Sequence, residues 1–221
     1  MSSEVTITVR GEQETRVAPE EAVVRLSVVH EGGEREKVVS RALALAEPIR
    51  EGLTTREAAG SVAEWSSARL AVRAERPWNS DGKRLAVVYT AVVDFTATFV
   101  DFSELSLWAA EVAVAEGVSL EWTEWRLTPE TRARVEREVA AEAVGAAVAR
   151  AAAYGEALGR HVIDAAEIAD VGLISSADPR AKDDGLRAVA FAAPMADSAT
   201  MAFQPEDIVV SATVEGRFIA R

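Results

Sequence analysis

LAVVYTAVVDFTATFV, residues 85–100, is the clearest strand pattern in the chain and decides its fold class. Val87, Tyr89, Ala91, Val93, Phe95, Ala97 and Phe99 fall on one face at a period of two, and Thr90, Asp94, Thr96 and Thr98 fall on the other. One apolar and one wetter face suit an antiparallel sheet covered on one side, because parallel sheets are buried on both.

Upstream of this strand, Val5, Ile7 and Val9 alternate with polar residues as far as Gly11, and a turn at Pro19 leads into a second strand at 22–30. Gly32-Gly33 breaks that strand. Val38, Ala42, Leu45 or Ala46, and Ile49 recur at helical spacing, so 34–51 is an amphipathic helix. Residues 62–74 read as a strand and Arg76-Pro-Trp-Asn-Ser-Asp-Gly82 as a loop of turn formers. Downstream, Asp101 followed by Glu104 reads as a capping box with Asp in the Ser/Thr role. Phe102, Leu105, Trp108, Val112 and Ala115 form the apolar stripe of the helix it opens, and Gly117 ends it. Then follow a strand at 118–127, a long helix at 128–159, a strand-like stretch at 162–174, and a last strand in which Ile208, Val210, Ala212 and Val214 alternate.

The predicted order is β-β-α-β-β-α-β-α-β-β, with a strand–helix–strand run occurring twice, at 22–74 and 85–127. No composition break divides the chain. It reads as one α+β domain over 1–221, a mostly antiparallel sheet with helices packed on one face. A loop excursion occupies 175–206, with Arg187 to Phe191 as a short strand inside it.

The long helix bears on assembly. Thr128 is an N-cap type, Pro129 fits the first helical position and Gly159 the C-cap. At ~1.5 Å per residue the helix is about 45 Å long, against about 30 Å for a small domain. Its first half carries Arg132, Arg134, Glu136, Arg137 and Glu138, whereas from Val139 to Ala153 the charged residues are Glu142 and Arg150. A helix apolar nearly all round is expected to be covered on more than one side, so it overhangs its domain or meets another copy. Ala141, Gly145, Ala149 and Ala152 form a small-residue stripe that admits close approach, either of the protein's own sheet or of a second subunit.

Composition excludes several functions. The formal net charge of −12 opposes binding to a phosphate backbone or an anionic membrane, and no Lys/Arg cluster stands out. The absence of cysteine removes disulfides, thiolate metal sites and cysteine nucleophiles. No apolar run of ~18 residues is present, and the N-terminus carries no secretory pattern, so the expected location is cytoplasmic.

Catalytic motifs are lacking. His30 and His161 stand without H-x-x-x-H or H-x-H spacing, and a structural role is expected for both. Asp183-Asp184 with Asp178 has no EF-hand spacing and reads as a solvated acidic loop. Ser175-Ser176 has no nucleophile elbow, and no glycine run cradles a phosphate. The expectation is therefore no catalytic residue, no metal and no cofactor. The tryptophans are more informative. Trp108 lies on a helix stripe and belongs to the core. Trp122 and Trp125 are an odd number apart in one strand and point to opposite faces. Trp78 sits in a turn-rich loop. Trp78, Trp122 and Trp125, with the small-residue stripe, are the candidate interface residues.

Four stretches in order resemble the SIMPL domain family, also called DUF541. Ile7-Thr-Val-Arg-Gly-Glu12 and Val17-Ala-Pro-Glu-Glu-Ala22 are similar to its opening I-x-V-x-G … P-D-x-A pattern, with Glu20 where Asp is usual. Tyr89-Thr-Ala91 with Val93, Asp101 and Leu105, then the Ala-rich helix ending in Ala157-Leu158-Gly159, follow. Phe203-Gln-Pro205 and Ile208-Val-Val-Ser-Ala-Thr-Val214 with Phe218 resemble its closing strand. The resemblance implies a compact α+β fold and, in some members, ring-like or channel-like homo-oligomers. Members are often periplasmic or membrane-associated, and some are linked to oxidative-stress tolerance or to signalling partners. The family supplies no established catalytic residues. The expected function is a non-enzymatic, self-associating scaffold or interaction module. The alternatives are a small-ligand binder or enzyme with its pocket under 175–206, and a stress-response accessory protein that binds a client.

Overall fold

The computed structural model of the chain describes residues 4–161, 163–174 and 203–221. Among these, the elements follow the order expected from the sequence: β1 (Val5–Val17), β2 (Glu21–Gly32), α1 (Arg35–Ala58), β3 (Val62–Glu75), β4 (Val88–Phe99), α2 (Phe102–Ala113), β5 (Val118–Arg126), α3 (Pro129–Ala157), β6 (Ile163–Asp170) and β7 (Ile208–Ala220). The expected short strand at 187–191 and most of the 175–206 excursion lie outside the described residues.

The fold is α+β and its strand pairings are antiparallel, but the strands form two sheets where the sequence suggests one. Each sheet has its own helical layer and core, and the described residues gather as two compact units. One takes those of Met1–Ala18, Leu127–Ala196 and Asp207–Arg221; the other takes those of Pro19–Arg126 and Asp197–Glu206. The chain passes between units at residues of ordinary composition, so the sequence carries no mark of the division.

The unit built on Pro19–Arg126 has a four-stranded sheet in the order β3-β4-β2-β5, with α1 and α2 packed against it. A β-α-β-β-α-β chain in this strand order is the split β-α-β, or ferredoxin-like, arrangement. The repeated strand–helix–strand pattern of the sequence is its two halves. The apolar face of β4, with Ala91, Val93, Phe95, Ala97 and Phe99, is buried with Val24, Leu26 and Val28 of β2. Leu53 of α1 and Leu105 and Trp108 of α2 complete the core, and the Phe99 and Trp108 rings lie 5.1 Å apart. Helix α1 continues past the expected end at Glu51 and carries Pro48 in its interior. Burial of Ile49 and Leu53 beyond the proline outweighs the lost backbone hydrogen bond. At the start of α2, Asp101 Oδ1 accepts from Ser103 N (2.9 Å) and Glu104 N (3.1 Å). The reciprocal half of the expected capping box is replaced: the Glu104 carboxylate turns to Arg56 Nε, 3.6 Å away.

The other unit is a three-stranded sheet, β1-β7-β6, with α3 lying along it. β1 and β7 pair without interruption from Val5↔Ala220 to Val17↔Ile208. Helix α3 begins and ends as expected. Thr128 caps Thr131 N, and Gly159 takes φ +69° in a Schellman turn, with Arg160 N bonded to Gly155 O (2.8 Å) and Gly159 N to Glu156 O (2.9 Å). Val135 and Val139 pack with Leu127 and Val210, and Ala143, Ala147 and Ala151 with Ile7, Val9 and Phe218. The helix therefore runs antiparallel to β1.

Candidate functional site

The polar candidates fall in different units. His30 lies on β2 opposite Ala91 and belongs to one unit, while His161 follows α3 and belongs to the other. Asp178, Asp183-Asp184 and Ser175-Ser176 lie outside the described residues. Among the described residues no three His, Asp or Glu side chains form a metal-binding group, and no helix is long and apolar enough to cross a membrane. A hydrogen bond from Arg50, reinforced by its charge, holds the Glu47 carboxyl below its usual range. That pair lies on the solvent face of α1. A shallow depression of about 420 Å³ is lined by Thr8, Val9, Arg10, Glu12, Arg150 and Glu215. In it Arg10 Nη2 stands 3.4 Å from the buried Glu215 Oε1, and Arg150 Nη1 donates to the Arg10 carbonyl at 2.8 Å. The lining thus carries two arginines and two glutamates, with no excess of either charge.

The small-residue face that α3 uses inside its own unit is Ala143, Ala147, Ala151 and Gly155, not the predicted stripe. These positions repeat every four residues, so their line winds by about 40° per step around a 3.6-residue helix and follows the sheet twist. Ile7, Val9 and Gly11 of β1 meet it. A Cβ on Gly11 would stand 2.0 Å from Ala143 O and 2.6 Å from Ala147 N, so only hydrogen fits there. The I-x-V-x-G spacing at the start of the chain is thus the seat of the long helix. The SIMPL family, described as a protein of unknown function (DUF541), matches residues 7–218 of the 221.

This chain belongs to the SIMPL family.

No curated protein matches it. Family membership fixes the fold region and leaves the activity open, so the candidate surface rests on this SIMPL chain's own geometry.

The predicted stripe lies on the back of α3. Ala141, Gly145, Ala149 and Ala152 are all exposed. Within the described chain α3 is covered on one side only, and its back tolerates exposure. The physical reason is side-chain size. Alanine is the best helix former, and each exposed methyl forgoes only about 0.8 kcal/mol of burial. Larger groups stand among them: Val148, Tyr154 and Leu158 are exposed as well.

The tryptophans divide. Trp108 is 1% exposed, in the core as expected. Trp125 packs edge-on against Phe102 (4.9 Å) and Phe203 (5.8 Å), so it serves the core of its own unit. Phe203, at the end of the 175–206 excursion, is tied there by its N–H to Ser106 Oγ (3.2 Å). Trp122 is 44% exposed, on the face opposite Trp125 as their spacing requires. A bulge sets this up: Arg25 pairs with Trp122 and Leu26 with Leu120, so the extra residue Glu121 turns Leu120 toward the core and Trp122 away.

Trp78 is 62% exposed, yet its loop is ordered by hydrogen bonds. Asn79 Oδ1 accepts from Asp81 N (3.1 Å) and Lys83 N (2.8 Å), and Asn79 N donates to Lys83 O (2.9 Å). Leu85 N donates to Pro77 O (2.9 Å), and Trp78 forms a β-bridge with Arg84, whose guanidinium lies 4.9 Å over the indole. Sequence reading singles out Trp78 but misses its setting. Residues 69–87 carry five basic side chains (Arg69, Arg73, Arg76, Lys83, Arg84) against Glu75 and Asp81, on a chain of net charge −12. The basic residues are spread over β3 and the loop that follows it, so no run marks them; a local charge count over 69–87 would have found them.

Proposed function

We propose that this SIMPL-family chain is a non-enzymatic interaction module that binds further copies of itself. The observation that carries the reading is Trp78, held to solvent by an ordered loop with Arg84 over its ring. A pre-organised aromatic loses little entropy on docking and is a common interface anchor. Its basic hairpin suits an acidic partner, and the acidic remainder of the same chain provides one. The rival, a ligand pocket under 175–206, has most of its roof outside the described residues. The test is light scattering with mass measurement over a range of concentration and salt. Assembly that weakens in high salt and in Trp78→Ala is expected. A strict monomer at high concentration overturns the proposal. A monomer that nonetheless captures a cellular client through Trp78 transfers the same surface to the accessory-protein reading.

A further inference from the structure

Among the described residues, four strands form sheet edges: β1, β6, β3 and β5. Three of them break their register. β6 is bulged between Ala165 and Glu167 and carries the cross-strand pairs Glu167–Arg217 (2.8 Å) and Asp164–Arg221 (3.0 Å). β5 is bulged at Glu121, and β3 shifts register between Val62 and Glu64 and again between Ser66 and Arg69. Bulges and charges are how edge strands avoid pairing with another chain. β1 has no proline, lysine or bulge along its thirteen residues; its charges are Arg10, Glu12, Glu14 and Arg16, of which Arg10 pairs with Glu215 (3.4 Å), and its Arg10 carbonyl accepts from Arg150, a bond that a strand added there would have to share or displace. It is a long, regular edge that pairs with β7 alone.

Resting on the self-association reading, we propose that β1 pairs antiparallel with β1 of a second copy about a two-fold axis at Gly11, fusing two three-stranded sheets into one of six. Two charge patterns share this axis. Along β1, Arg10 comes opposite Glu12 of the second copy, Thr8 opposite Glu14, and Thr6 opposite Arg16. Registers centred on Arg10 or on Glu12 instead place like charges together. Above the sheet, Gly11 lies against α3 between Ala143 and Ala147, so the axis passes the helix near Ala146. Glu142 and Arg150 flank that point by four residues each and lie on the β1 side: Glu142 accepts from Gln13 Nε2 (2.9 Å), and Arg150 donates to the Arg10 carbonyl (2.8 Å). Antiparallel helices centred on Ala146 therefore set Glu142 against Arg150 of the second copy, twice.

The spacing agrees. α3 packs on β1 and β7 alike. With strands about 4.8 Å apart, two helices each centred between β1 and β7 stand about 10 Å from one another across the new pair. That is helix-packing distance, and it shortens as α3 leans toward β1. Ala146 and Ala149 leave room for such an approach. The occupant is a second copy because both patterns are self-complementary about one point.

The chain has no cysteine, so a single introduced thiol reads the contact directly. Under mild oxidation Ala146→Cys is expected to form a covalent dimer, while Ala133→Cys, two turns or more off the axis, stays monomeric on a non-reducing gel. Glu142→Arg and Arg150→Glu are each expected to raise the dimer dissociation constant about tenfold, and the double swap to restore it. Both positions are exposed, so circular dichroism should show the variants folded. If the wild type assembles but position 146 does not cross-link and the swap does not rescue, this interface is wrong while self-association stands. If the wild type is monomeric, both proposals fall.

Discussion

A Cβ built on Gly11 would lie 2.0 Å from the carbonyl oxygen of Ala143, inside the backbone of the helix that covers it. The first strand and the long helix thus meet through a residue without a side chain. Gly11→Ala is expected to cost about 3 kcal/mol, at the upper end of overpacking, because a helix carbonyl cannot move aside as a side chain does. Urea denaturation measures it. Adding Ala147→Gly removes the Cβ at 2.8 Å but not the carbonyl, so the double variant should recover little. Full rescue would show that a side chain, not backbone, limits the approach.

Gly145 is the opposite case on the same helix. A Cβ there meets nothing within 4 Å, and the residue is exposed on the back of α3. Gly145→Ala should therefore stabilise by about 1 kcal/mol from helix propensity alone. For a chain of this size that raises Tm by roughly 2–4 °C. A thermal melt of the variant that falls instead of rising would mean the back of the helix is packed in solution.

Asp101 tests the division of labour at the start of α2. Its carboxylate accepts both Ser103 N and Glu104 N. Asp101→Ala should cost about 1 kcal/mol, and Asp101→Asn should keep most of that. Glu104→Ala should leave the cap intact, because that carboxylate faces Arg56. Equal losses for Asp101→Ala and Glu104→Ala would restore the reciprocal capping box.

The elements were legible because their signals are local. Alternation in β4, the Thr128–Pro129 start and Gly159 end of α3, and the Asp101 cap are all set by neighbours in sequence. What did not show was which strands share a sheet. β1 pairs with β7, more than two hundred residues away in sequence terms at Val5↔Ala220, and nothing in the alternation of Ile7 and Val9 says so. Which face of α3 meets its own sheet was open in the sequence for a related reason. With alanine at so many positions, the stripe that packs (Ala143, Ala147, Ala151) and the one that does not (Ala141, Gly145, Ala149) look alike, and only Gly11 on a distant strand chooses between them. The tryptophan parity argument survived because a bulge at Glu121 lies outside the Trp122–Trp125 interval; had it fallen between them, the two indoles would share a face.

Trp108 and Trp78 carry the same side chain into opposite environments, and their alanine variants should separate stability from assembly. Trp108 is 1% exposed with its ring 5.1 Å from Phe99. Removing it leaves a cavity between α2 and the sheet, so Trp108→Ala should cost about 3–5 kcal/mol. Trp78 is mostly exposed with the Arg84 guanidinium over its ring, and Trp78→Ala should change the urea midpoint by no more than a surface substitution does, within about 0.5 kcal/mol. The same variant should lower the mass seen by light scattering. A large stability loss for Trp78→Ala would make the indole a support for its hairpin and not an anchor for a partner. Unchanged stability with unchanged mass would leave Trp78 without a role in self-association.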